Sequence, residues 1–133
     1  MRIPLIAALA LIAIAAPGAA KDRNQVPAAV PDGKPESCIS TNRIRASHVH
    51  GDSVIDFEMN GGKVYRNTLP YSCPSLGFEE RFAYKTSINQ LCSTDIITVL
   101  QSPGISRGAS CGLGMFQPVT LVKPAKLVKP KKP

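Results

Sequence analysis

The sequence predicts a mainly β domain: a small five-stranded, barrel-like or strongly curled antiparallel sheet with a short helical excursion, stapled by disulfides. Three observations carry that expectation. Apolar residues alternate with polar ones at residues 43–49 and 54–59, the period of a half-buried strand. Asn60-Gly61-Gly62 follows the clearest alternation, as a tight hairpin requires. Four cysteines, Cys38, Cys73, Cys92 and Cys111, span the folded part at spacings of 35, 19 and 19.

The N-terminus has the form of a secretory signal. Met1 and Arg2 make a short positive region, residues 3–16 are apolar, and Pro17-Gly18-Ala19-Ala20 supplies a helix break and small residues before Lys21. The apolar run of 14 residues is shorter than the ~20 a spanning helix needs. Residues 1–20 are therefore expected to be cleaved. The mature chain would have 113 residues, no transmembrane span, and a periplasmic or secreted location. An even cysteine number suits that oxidising compartment.

Residues 21–37 carry three prolines, three basic and three acidic side chains, and no sustained periodicity. They are expected to be a disordered leader. The stapled domain should occupy residues 38–120. Within it, Ile44, Ala46 and His48 alternate with Arg43, Arg45 and Ser47, and His50-Gly51-Asp52 supplies a turn. Ile55, Phe57 and Met59 share one face of the next strand, with Asp56 and Glu58 on the other. Residues 63–69 return as a third strand, giving a three-stranded meander over 43–69.

Pro70 and Pro74 end that strand. Phe78 and Phe82 lie four apart, a helical spacing, so a turn of helix is expected within residues 75–84. Ser87-Ile88-Asn89-Gln90 fits a capping box and predicts a second helical turn over residues 88–92. Residues 95–101, β-branched and poor in charge, should form a central strand. Residues 102–110 read as a loop and residues 111–122 as a last strand, broken by Gly112, Gly114 and Pro118.

The net charge of +7 does not describe the domain. Residues 38–120 hold seven basic and six acidic side chains, whereas residues 121–133 hold five lysines and no acid. Specific nucleic-acid binding is therefore not indicated. The segment L-V-K-P occurs twice in that Lys/Pro-rich tail, which is expected to be disordered and extended. It would be drawn to anionic components of the cell envelope, or serve only as a solubilising arm.

Several segments resemble small exported proteobacterial proteins grouped as a domain of unknown function with four cysteines. They are Cys38-Ile39, Val64-Tyr65-Arg66-Asn67-Thr68-Leu69-Pro70, Cys73-Pro74-Ser75-Leu76, Phe82-Ala83-Tyr84, Leu91-Cys92-Ser93-Thr94-Asp95 and Gly108-Ala109-Ser110-Cys111-Gly112-Leu113-Gly114. The resemblance covers residues 38–119. It implies an exported bacterial protein and no particular activity.

The cysteines contain no C-x-x-C, so neither a zinc ribbon nor a thioredoxin-type centre is signalled. They read as structural, with Cys73–Cys92 and Cys38–Cys111 the expected pairs among three possible. His48 and His50 would face one side of a strand. H-x-H can grip copper or zinc, with Asp52 and nearby carboxylates as helpers, but two ligands fall short of a site. No S-x-x-K or H-E-x-x-H motif is present, Glu79-Glu80 would diverge on a helix, and Asp56 and Glu58 read as a solvated face. The chain is thus expected to be a non-enzymatic binding or envelope-associated module without a cofactor. The alternative is a periplasmic metal-handling protein or enzyme using His48 and His50. The expected binding surface comprises Tyr65, Arg66, Asn67 and Tyr84. The competing reading places Tyr65 and Phe82 in the core, with Arg66 and Asn67 outward.

Overall fold

The computed structural model describes residues 22–123. The expected signal segment 1–20, with Lys21, and the tail from residue 124 lie outside the described residues. The fold is mainly β and antiparallel, with ten strands in three sheets among the described residues. The largest sheet has the order β1(Ala29–Pro31), β10(Phe116–Leu121), β5(Val64–Thr68), β4(Val54–Met59), β3(Ile44–His50). A second sheet has β8(Ile96–Gln101) between β6(Phe82–Tyr84) and β9(Ser106–Gly112), and β2(Cys38–Ser40) pairs with β7(Gln90–Cys92). The large sheet is open: β1 and β3 are its edges, and no barrel closes.

In β4 the meander follows the alternation that predicts it, whereas in β3 a bulge between Ile44 and Ala46 turns Ala46 and His48 to the face opposite Ile44. Ile55 faces Asn67 and Phe57 faces Tyr65 across β4 and β5, and all four side chains point inward and are buried. Gly61 and Gly62 take φ of +95° and +92°, conformations that residues with a Cβ rarely adopt. β8 is central in its own sheet, as its β-branched, uncharged sequence implies. Its inward residues Ile97 and Val99 are fully buried. The two larger sheets meet around Phe57, whose ring makes edge-on contacts with Phe82 at 6.2 Å and Phe116 at 5.7 Å.

Of the five strands beyond the expected five, four, β1, β2, β6 and β7, are three residues long. Alternation over three residues is too short to register as a pattern. The leader is one source. Ala29–Pro31 pairs with β10, and Glu36 exchanges backbone hydrogen bonds with Phe116 at 2.8 Å. Residues 22–37 are therefore not a featureless leader, and β10, which runs to Leu121, carries the ordered domain past residue 120.

Of the two expected helical turns, the one within residues 75–84 is present and the one over residues 88–92 is not. The helix α1(Leu76–Glu79) is a single turn, entered at Ser75 (φ +68°) and left at Glu80 (φ +52°), both in left-handed conformations. Leu76 is buried and Phe78 is exposed, while Phe82 already belongs to β6, so the four-residue spacing marks no helical face. Residues 90–92 are a strand, not a helical turn. Leu91 packs fully buried opposite Ile39, and that tertiary contact outweighs the local capping signal. Finally, the expected last strand is two strands: the chain leaves the small sheet after Gly112 and enters the large one at Phe116.

The disulfides are Cys38–Cys92 and Cys73–Cys111, so the expected pairing is wrong. Cys38 and Cys92 are directly opposed in β2 and β7, with Cα atoms 4.0 Å apart. That register depends on residues 90–92 being extended. Cys73–Cys111 joins the segment after β5 to β9, and so ties one large sheet to the other. With sequence separations of 54 and 38, chain-entropy arguments give about 4 kcal/mol for each.

The contact between α1 and the β3–β4 turn is unusually close. A Cβ on Gly77 would lie 2.7 Å from the backbone of Gly51, and the Gly77 N–H donates to Asp52 Oδ1 at 2.8 Å. Backbone cannot give way as a flexible side chain would. Gly77→Ala is therefore expected to destabilise the oxidised protein by about 1–3 kcal/mol, seen as a lowered midpoint in urea.

Candidate functional site

The outer face of the large sheet carries a polar array built by strand alternation. β4 turns Ile55, Phe57 and Met59 inward, so Asp56 and Glu58 point outward. β3 places His48 and His50 on that same outer face, and β5 places Arg66 there. His50 is paired with Val54 in register but reaches diagonally to Asp56, and His48, paired with Asp56, reaches diagonally to Glu58.

Asp56 is the centre of the array. Its Oδ1 accepts Arg66 Nε at 2.8 Å, and its Oδ2 accepts Arg66 Nη2 at 2.8 Å and His50 Nε2 at 3.1 Å. The carboxylate is buried although it faces outward, because these two side chains cover it. The hydrogen bonds and charge of Asp56 raise the Arg66 pKa above its already high range, against the opposing effect of burial. Glu58 is more open. It takes Arg45 Nη2 at 3.0 Å and His48 Nε2 at 3.3 Å. The bulge between Ile44 and Ala46 gives β3 the extra residue at Arg45.

The two histidines do share a face, as H-x-H predicts. Each is turned to a different carboxylate, however, and the four groups do not converge on one point. Among the described residues, no group of three or more His, Cys, Asp or Glu side chains is arranged to hold a metal ion. A carboxylate only accepts, so the bonded Nε2 carries the proton and neutral His48 or His50 keeps Nδ1 as an acceptor. Asp52, the other potential helper, caps Gly77 instead.

Both histidines border an open groove of about 630 Å³ along β3, whose other wall includes Arg23, Gln25, Glu80 and Val122. Residues 22–28 form that wall by bridging the open sheet. The Arg23 carbonyl accepts from Gly51 N at the end of β3, and the Ala28 carbonyl accepts from Val122 N at the end of β10. The groove thus lies beside an edge strand that pairs with no further strand among the described residues.

The other expected surface, Tyr65, Arg66, Asn67 and Tyr84, is not one surface. Tyr65 and Asn67 point into the core, where Tyr65 Oη donates to Glu36 Oε1 at 3.1 Å. Lys63 Nζ stands 4.7 Å above the Tyr65 ring and 3.8 Å from Glu36. Arg66 lies on the opposite face. Tyr84 is half-buried in the small sheet, tilted against Phe82. Consecutive strand residues alternate in direction, so residues 65–67 could not all contribute to one surface. The core reading holds for Tyr65, and Asn67 joins it. Asn67 is fully buried, with Nδ2 donating to the Gly114 carbonyl at 2.7 Å and Oδ1 accepting from Gly114 N at 2.8 Å.

The groove was not legible in sequence, because one of its walls comes from residues that show no strand pattern. The histidine pair and the outward carboxylates were legible, through alternation alone. No family model matches the chain, and no curated protein or solved structure matches it.

Proposed function

We propose that this chain is an exported, non-enzymatic binding module associated with the cell envelope, with the groove beside β3 as its recognition surface. The observation that carries this reading is the groove itself: a concave site between an edge strand and the bridging segment 22–28, lined by two histidines and by Arg23, Gln25 and Glu80. Edge strands dock extended partners through backbone hydrogen bonds, and side chains beside them supply selectivity. Export is supported by the signal-like residues 1–20, the two disulfides and the resemblance to exported proteobacterial proteins. The non-catalytic part of the reading is supported by the carboxylates beside the groove. Asp56 is committed to a guanidinium and a histidine, and Glu58 likewise. No helix among the described residues is long and apolar enough to cross a membrane.

The lysine-rich residues 123–133 serve in this reading as an electrostatic tether to anionic envelope material. Leu121 pairs with Ala29 and the Val122 N–H bonds to Ala28, so a truncation must begin at Pro124 to spare the fold. Removing residues 124–133 is expected to weaken salt-sensitive association with the envelope in cell fractionation while leaving the unfolding midpoint unchanged. Identical fractionation of the two forms would reject the tether. A metal titration with His48→Ala/His50→Ala as control separates this reading from metal handling. Stoichiometric zinc or copper binding lost in that variant would favour the latter.

A further inference from the structure

The small sheet buries one face and leaves the other apolar. Phe82, Ile97 and Val99 point inward, while Ala83, Ile96, Thr98 and Leu100 point outward, joined by Ile105 from the turn between β8 and β9. Ile96 is 59% exposed and Ile105 79% exposed. Between them lies an open depression of about 580 Å³. The Thr98 and Ser110 hydroxyls, 3.1 Å apart, bond each other and so leave the middle of the face without an unpaired polar group from these residues.

Cations outnumber acids two to one around this depression. Lys85 lies just beyond β6, at the Ile96 end, and Arg107 is paired with Leu100 at the other end. Neither has a carboxylate within ion-pairing distance among the described residues. The nearby acid, Asp95, has a carboxylate oxygen engaged with Cys92 N at 2.7 Å. An apolar centre with a cation at each end matches the interface of an anionic bilayer. Apolar side chains enter the acyl boundary there, and the long cationic stems reach up to head groups. Self-association fits less well, because two copies of this face would bring four cations together against two carboxylates.

We infer that the outer face of β6, β8 and β9, with Ile96, Leu100 and Ile105 at its centre and Lys85 and Arg107 at its ends, docks on an anionic lipid surface. The inference rests on the envelope association proposed above and specifies the face that makes it. It also makes that association a two-point one, with the lysine-rich segment as the second point.

The chain contains no tryptophan, so one introduced at this face reports on it alone. Ile105→Trp, in the oxidised protein as recovered from cells, should shift its emission to the blue with phosphatidylglycerol vesicles. Lipids brominated on their acyl chains should quench it. Val30→Trp, on edge strand β1 of the other sheet, should show neither effect. Adding Lys85→Gln and Arg107→Gln to Ile105→Trp should raise the lipid concentration for half-maximal quenching about tenfold. Phosphatidylcholine vesicles should give little quenching in either form. Absence of quenching at position 105 overturns the inference, and so does equal quenching at positions 30 and 105. A blue shift that grows with protein concentration without lipid would mean that a second copy covers the face, and would equally overturn it. If position 105 is not quenched yet salt-sensitive envelope fractionation persists, this face fails and the proposed function stands. If the fractionation is absent as well, both fail.

Discussion

Replacing Asp56 by alanine should destabilise the oxidised protein by about 3–5 kcal/mol, measured by urea unfolding. The side chains of Asp56, Arg66 and His50 are 3%, 15% and 16% exposed, so water cannot readily replace the lost carboxylate. The Arg66 guanidinium would keep its charge and lose both of its 2.8 Å bonds. His50 would lose its acceptor at the same time. Arg66→Met should be costly for the mirror reason, since it leaves a covered carboxylate with only a histidine. Asp56→Leu together with Arg66→Met should fall within about 1 kcal/mol of the native protein, because well-packed apolar pairs often match buried ion pairs. A double variant as unstable as the two single losses combined would show that the pair is not a coupled unit. The pH dependence follows from the Arg66 shift. A cation whose folded pKa is raised contributes fully below its ordinary value, and its contribution is lost only as pH rises through the raised one. The Arg66 contribution should therefore be flat from about pH 5 to 9. The open Arg45–Glu58 pair, with 64% of the arginine side chain exposed, should contribute no more than about 1 kcal/mol.

The contrast between these two ion pairs also shows what sequence patterning conveys. Alternation placed Asp56 and Glu58 on one outward face, and that is where they are. It could not distinguish a buried carboxylate from a solvated one. That difference comes from β3 and β5, whose His50 and Arg66 close over Asp56 from both sides. Similarly, the meander was legible because each strand has five or more residues and Gly61-Gly62 fixes the turn. Strands β1, β2, β6 and β7 were not, because three residues carry too little pattern. Their existence depends on long-range partners such as Ile39 for Leu91. The disulfide pairing was lost with them. Once residues 90–92 are taken as a helical turn, Cys92 cannot be opposed to Cys38.

Asn67 is the second residue whose loss should be severe. It sits where β5 ends and the chain crosses from the small sheet into β10. It reads one residue of that crossing, Gly114, through both backbone groups. Phe116 is then registered against Asn67 itself. Asn67→Ala leaves the Gly114 N–H and C=O without these partners and opens a small cavity, for a cost of about 2–5 kcal/mol. Asn67→Asp should be at least as damaging. It keeps an acceptor for Gly114 N but sets an oxygen against the Gly114 carbonyl and carries charge into a fully buried site. The glycine is as constrained as the asparagine. A Cβ at position 114 would collide with the Thr68 carbonyl oxygen, which is backbone and cannot move without disturbing the end of β5. Gly114→Ala should therefore reproduce the loss at Asn67. The double variant should be much less unstable than the two losses added, since either one opens the same clamp. Hydrogen exchange supplies an independent check. In Asn67→Ala, the Gly114 and Phe116 amides should exchange faster by a larger factor than those of the β8–β9 pair. Uniform acceleration across both sheets would mean that Asn67 contributes only to global stability and does not set the crossing.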